Sequence, residues 1–190
     1  MILTHGANSI KRGLFFDIGG TEYKCVQIGS KIWMAENLDW LFMSGSRARY
    51  YDDDQSTYGR NGLKYGLLYR MADIDYLVAN IASLAPGWTV PTIDDLFALE
   101  DAVGGYQTAG LHLKSRTGWI NGAGIDDFGF NGVPSGKATI DGFTGVGSIA
   151  EYALTPDNNW YYYAMLDAAD MSHYGHGGYE YASIRLCKEP

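Results

Sequence analysis

Residues 23–34 read Tyr23-Lys24-Cys25-Val26-Gln27-Ile28-Gly29-Ser30-Lys31-Ile32-Trp33-Met34. Two short alternating runs flank Gly29-Ser30, the pattern of a β-hairpin closed by a two-residue turn. Further along, Ile74, Leu77, Val78, Ile81 and Leu84 recur at helical spacing. That spacing predicts an amphipathic helix over 71–84, stopping before Pro86. A second helix is expected after Thr92, a good N-cap, with Asp94 and Asp95 in its first turn and Gly104-Gly105 as its stop. Ile93, Leu96, Phe97 and Val103 would supply its core face. Ala182 to Lys188 reads as a closing strand. Together these predict an α+β domain of small sheets, two helices and long loops, with both ends of the chain meeting in one sheet.

The 190 residues, 46% of them apolar, suffice for one buried core. Residues 1–13 lack periodicity, and the segment 1–19 is expected to be an N-terminal arm or attachment segment before a domain over 20–190. A net charge of −8 argues against a nucleic-acid partner, because phosphate binding depends on Lys and Arg. No run is long enough to insert into a membrane, and MILTHGANSIKRG lacks the apolar core of a signal peptide. The two cysteines, Cys25 and Cys187, are too far apart in sequence for a metal knuckle or a local redox pair; a disulfide between them is allowed but not demanded, and buried thiols on neighbouring strands are the expectation.

Several motifs invite a functional reading and yield to a simpler one. Asp17-Ile18-Gly19-Gly20-Thr21 looks like the first phosphate loop of sugar kinases, but the chain has little room for their second half, and a Gly-Gly bend is preferred. The stretch 39–64, centred on Tyr50-Tyr51-Asp52-Asp53-Asp54, lacks the acidic ladder of a Ca²⁺ loop and reads as a solvated acidic loop. Asp126 and Asp127, in a Gly-rich turn, are expected to cap a bend. Asp170, His173 and His176 have poor metal spacing and read as contact residues. No nucleophile elbow, Walker motif or reactive thiol motif occurs, so no cofactor, no metal and no enzymatic activity are expected.

The stretch Pro156–Tyr181, PDNNWYYYAMLDAADMSHYGHGGYEY, is rich in Tyr, Asn, Asp, Ser, His and Gly. Tyr gives large rigid contact area and the small polar residues give adaptable hydrogen bonds, the mixture favoured in antibody loops. Tyr161, Tyr163, Tyr174, Tyr179 and Tyr181 are the expected aromatic anchors. Asn158, Asn159, Asp167, Asp170, Ser172, His173 and His176 would supply the polar contacts. Some of these tyrosines must be core, since a strand alternates its faces.

The ordered blocks Trp33-Met34-Ala35-Glu36-Asn37-Leu38, Tyr65-Gly66-x-Leu68-Tyr69, Gly87-Trp88-x-Val90-Pro91-Thr92, Gly118-Trp119, Asp126-Asp127-Phe128-Gly129-Phe130, Pro134-x-Gly136 and Ser183-Ile184-Arg185 resemble the Fibrobacter succinogenes major paralogous domain over about residues 20–188. That resemblance implies a C-type lectin-like fold with paired first and last strands, which would bring Cys25 and Cys187 close together. It also implies kinship with variable proteins of diversity-generating retroelements, which vary exposed residues near the C-terminus. Ala153-Leu154-Thr155 departs from the Trp-Ser-Ser-Thr run frequent in the family. The resulting expectation is a receptor-binding or adhesion module, phage-encoded or on a cell surface, that grips a protein or carbohydrate on a target cell. It would reside in a virion or outside the cell without a recognisable signal peptide, and a homo-oligomer or attachment through the arm is left open. A structural virion or surface subunit is the alternative, and a formylglycine-generating-like enzyme or sugar kinase is a weaker one.

Overall fold

The computed structural model describes residues 10–155, 161–165, 171–175 and 181–190. The chain opens with β1 (Ile10–Ile18), β2 (Thr21–Ile28) and β3 (Lys31–Met34), an antiparallel meander. The Gly19-Gly20 bend links β1 to β2, both glycines taking positive φ (62° and 78°), the signature of a tight I′ turn. Asp17 Oδ1 accepts the Gly20 N–H at 3.0 Å. A side chain on Gly19 would meet the Trp40 ring at 2.2 Å, so the bend is also a packing surface. The expected arm therefore divides differently. Residues 10–18 are a sheet edge, with a register irregularity between Lys11 and Leu14, while residues 1–9 lie outside the described residues.

Four helices occur among the described residues: α1 (Gln55–Tyr58), α2 (Met71–Leu84), α3 (Ile93–Ala102) and α4 (Tyr106–Leu113). α2 and α3 match the two expected helices. Thr92 caps α3 by accepting the Asp95 N–H at 3.2 Å, and the Asp95 carboxylate accepts the Thr92 N–H at 2.9 Å, a reciprocal capping box. Leu96, Leu99, Ala102 and Val103 carry the buried face of this region. Phe97, expected there, is exposed, because it falls between the turns that face the sheet. α1, a single turn, and α4 go beyond the two expected. α1 replaces part of the expected loop, with Asp54 accepting the Thr57 N–H at 3.0 Å.

A second sheet orders β4 (Tyr69–Arg70), β10 (Tyr181–Ala182), β5 (Ser135–Thr139), β7 (Ala150–Ala153), β8 (Tyr161–Met165) and β9 (Met171–Gly175), with β6 (Gly142–Val146) paired to β5. Its ladders are antiparallel except β5 with β7. β11 (Cys187–Lys188) then joins the first sheet beside β3. The terminal strands share one sheet, as expected, but β11 neighbours β3, with β1 at the far edge. Cys25 and Cys187 consequently flank β3, two strand spacings or roughly 10 Å apart. Both are free, and they belong to separate apolar clusters. The expected placement on neighbouring strands is corrected by that intervening β3.

Residues 182–187 pass from one sheet to the other fully buried. Within this crossing Arg185 makes no salt bridge to any described residue. Its Nε donates to Asn37 Oδ1 at 2.8 Å, Nη1 to the carbonyls of Phe130 and Met34, and Nη2 to the Asn131 carbonyl at 2.7 Å. The guanidinium also lies 4.4 Å over the Phe130 ring and 5.2 Å from that of Tyr152. Asn37 Nδ2 donates on to the Tyr65 carbonyl and to Ser183 Oγ, which bonds Ser135 Oγ at 2.9 Å.

Two stability outcomes are expected. Arg185→Met leaves the Asn37 oxygen and three carbonyls without their donor and should cost about 3 kcal/mol or more in urea unfolding, with Arg185→Lys intermediate because an ammonium cannot reproduce the fork. Asp95 is partly buried, which raises its carboxyl, but the Thr92 N–H and the Lys31 ammonium at 2.9 Å outweigh burial and hold it below its ordinary value. Its contribution is present above about pH 4 and is lost as pH falls through the lowered folded value. Asp95→Asn should thus cost about 1–2 kcal/mol at pH 7, and the gap from wild type should narrow in unfolding curves taken in strong acid.

Candidate functional site

β7 is the root of the expected binding surface. All four of its residues are buried, and Tyr152 packs edge-on against Phe130 while bridging in parallel to Ser183. Glu151 is buried beside the Lys137 ammonium at 3.4 Å. β8 pairs along this strand with Tyr152 opposite Tyr163 and Ala153 opposite Tyr162. β9 pairs in turn with β8, setting Tyr161 opposite Gly175, Tyr162 opposite Tyr174, Tyr163 opposite His173 and Ala164 opposite Ser172. Five expected site residues, Tyr161, Tyr163, Ser172, His173 and Tyr174, therefore share one two-stranded ladder at the end of the sheet.

Tyr181 stands apart. It pairs with Arg70 and Ala138 on β10, and β5 and β7 stand between β10 and β8 in the strand order. Asn158, Asn159, Asp167, Asp170, His176 and Tyr179 lie outside the described residues, as does the metal reading that needed Asp170 and His176.

On the side of Tyr181 the structure assembles groups that the sequence pattern placed in a solvated loop. Tyr51 packs against Tyr58 (5.3 Å between centroids) and Phe143 (5.1 Å), Tyr58 against Tyr65 (5.8 Å), and Arg49 lies 4.4 Å over Phe143. Arg49 forks onto Asp53 through Nε at 2.8 Å and Nη2, and this pairing holds the Asp53 carboxyl below its usual range. Asp54, bonded by Ser56 and Thr57, falls to about 2. The acidic run is thus partly committed to Arg49 and to the cap of α1. Gly136, at φ +70°, admits this cluster, because a side chain there would meet the Tyr51 ring and the Thr144 carbonyl at 2.7 Å. The signal available in sequence was the aromatic content of Tyr50-Tyr51 and Tyr58 together with Arg49.

Next to it runs an open polar groove of about 780 Å³ lined by Asp39, Tyr50, Gln55, Ser56, Arg60 and Asn61. Tyr50 donates to Asp39 at 2.7 Å, and burial followed by this carboxylate raises the Tyr50 hydroxyl. A smaller cavity of about 320 Å³ lies between Glu36, Lys64, Tyr65, Ser115, Thr117, Gly118, Asn131 and Arg185.

The expected turn around Asp126 and Asp127 is held from inside. Asp126 Oδ1 accepts the Asn131 N–H at 2.7 Å, and Asp127 meets His112 Nδ1 at 3.0 Å. The thiols are poor nucleophiles. Burial, then the nearby Glu36, pushes Cys25 up to about 12, and burial raises Cys187 to about 11 despite a hydrogen bond from Thr89. Among the described residues no helix is long and apolar enough to cross a membrane.

No curated protein and no solved structure matches this chain. A family model described as the Fibrobacter succinogenes major domain matches residues 26–185. That span begins within β2, takes in β3, the second sheet and the crossing as far as Arg185, and covers most of the chain, so the chain belongs to the Fibrobacter succinogenes major domain family.

Proposed function

We propose that the protein is a non-enzymatic ligand-binding module, an adhesion or receptor-recognition domain that grips a protein or carbohydrate on a target cell surface. The observation that carries this reading is the β8–β9 ladder, in which a run of Tyr, Ser and His positions hangs from the buried β7. A scaffold rooted in a packed core lowers the ordering cost of contact residues, and Tyr supplies area with few rotatable bonds. The C-type lectin-like relationship, diversification by a retroelement and residence in a virion or on a cell surface belong to the same proposal. Tyr161 and Tyr163, on the same face of the ladder as His173, are the proposed anchors of one side, Tyr174 and Ser172 belong to the opposite side, and Asn158, Asn159, Asp167, Asp170, His176 and Tyr179 complete the proposed contact set. Tyr181 contributes instead from the Arg49–Phe143 side.

The raised thiols support the non-enzymatic reading against a formylglycine-generating-like enzyme, whose chemistry needs accessible cysteine. Alkylation of the native protein by iodoacetamide at pH 8 should be slow at both cysteines and become fast in denaturant. Fast native alkylation that also abolished a peptide-thiol oxidation would favour the enzyme.

For recognition itself, Tyr161→Ala and Tyr174→Ala alter opposite faces of the ladder, so one of the two should weaken adsorption to target cells at least tenfold, about 1.4 kcal/mol or more, while the other leaves it nearly unchanged. Loss of self-assembly with adsorption intact, read by size-exclusion chromatography, would favour a structural subunit.

A further inference from the structure

The 320 Å³ cavity has a chemistry of its own. Of the five N–H groups of Arg185, four are engaged by Asn37, Met34, Phe130 and Asn131, all neutral acceptors. Arg185 also lines the cavity, and no described carboxylate lies within ion-pair distance of it. The guanidinium's hydrogen bonds all go to neutral groups, and Asp126 acts on it electrostatically without a direct ion pair, so its charge is only partly offset. Lys64, exposed and held at φ +58°, lines the same space. The third charged lining residue is Glu36, one of whose oxygens already accepts the Lys24 N–H at 2.9 Å. Two cations against one anion leave one positive charge in excess in a chain whose total is −8.

Neutral groups complete the lining. Gly118 brings the backbone close enough that a side chain there would meet the Tyr65 hydroxyl at 2.8 Å. Asn131, also at positive φ (57°), and Thr117 face the cavity with Ser115 behind them. Ser115 Oγ donates to the Thr117 carbonyl and accepts Trp119 Nε1 at 3.1 Å, so the indole N–H sits directly behind the cavity wall. The volume is at the lower end for small-molecule sites, and a few convergent polar groups among apolar ones is the usual composition of such sites.

We propose that this cavity binds a small carboxylate that also carries a hydrogen-bond donor, the chemistry of a hydroxy acid or an amino acid. The carboxylate sits on the exposed Lys64 ammonium with the positive charge of the buried Arg185 guanidinium in the wall behind it, and the hydroxyl or ammonium of the ligand faces Glu36. The site is separate from the β8–β9 ladder, and its function does not depend on the recognition reading.

The test uses the full chain, the indole N–H resonance of Trp119, and lactate, alanine, acetate and lactamide as probes at constant ionic strength. Lactate or alanine should move that resonance saturably, and which of them binds tighter separates the hydroxy-acid from the amino-acid source. Lactamide, lacking the charge, should bind at least tenfold more weakly, and acetate, lacking the donor, should fall between. Lys64→Gln should weaken lactate or alanine at least threefold with an unchanged melting temperature, since Lys64 is exposed. Glu36→Gln should narrow the difference between lactate and acetate. The proposal is overturned if lactamide matches lactate, if Lys64→Gln has no effect on binding, or if neither acid saturates below about 50 mM.

Discussion

The guanidinium of Arg185 is the constraint on which the two sheets depend. It sits at zero exposure where the chain crosses from β10 to β11, and its donors reach carbonyls at the end of β3 and in the 130–131 loop, besides the amide of Asn37. These acceptors come from separate stretches of the chain, so a single side chain sets their spacing. Lysine would offer three donors from one point and could not span them. The cost of placing a cation there is offset by hydrogen bonds and two aromatic faces.

The junction gathers residues from several of the sequence blocks that carry the family resemblance. Asn37 from the Trp33–Leu38 block, Tyr65 from the next, Phe130 from the Asp126–Phe130 block and Ser183-Ile184-Arg185 at the end are far apart in sequence and meet in one network. Gly66 is at φ +72° with the Leu38 carbonyl 2.8 Å from where a side chain would begin, so even the glycine following Tyr65 serves that closure. The apolar clusters on either side are separate packing units, and the polar crossing ties them together.

What the sequence disclosed follows from range. The β2–β3 hairpin, α2 and α3 were readable because their signals are periodic and local: alternation, a 3.6-residue stripe, and Thr92 with Asp95 three residues on. α4 was not, since Tyr106–Leu113 is short, contains Gly110 and follows a Gly-Gly stop. Short β5–β7, rich in Gly, Ser and Ala, carry little alternation either. Phe97 was misplaced because the apolar stripe of α3 is narrow, and helical spacing alone does not fix which apolar neighbour faces the sheet. At the site, composition drew attention to Pro156–Tyr181, but the separation of Tyr181 from β8 depends on strand order, and the Arg185 cavity depends on bonds such as the one to Asn37, 148 residues away. Such facts have no local signature.

One feature of the crossing bears on how the molecule comes into being. β10 and β11 are contributed by residues 181–188, and each completes a different sheet, so neither apolar cluster can close around its full set of partners while that segment is still inside the ribosome. A nascent chain made up to Met165 would hold its hairpin and helices with their apolar faces open to water. Vectorial synthesis therefore delivers the keystone late, and the long-range closures it permits are the slow kind. Until then the emerging polypeptide would be a natural client for chaperones.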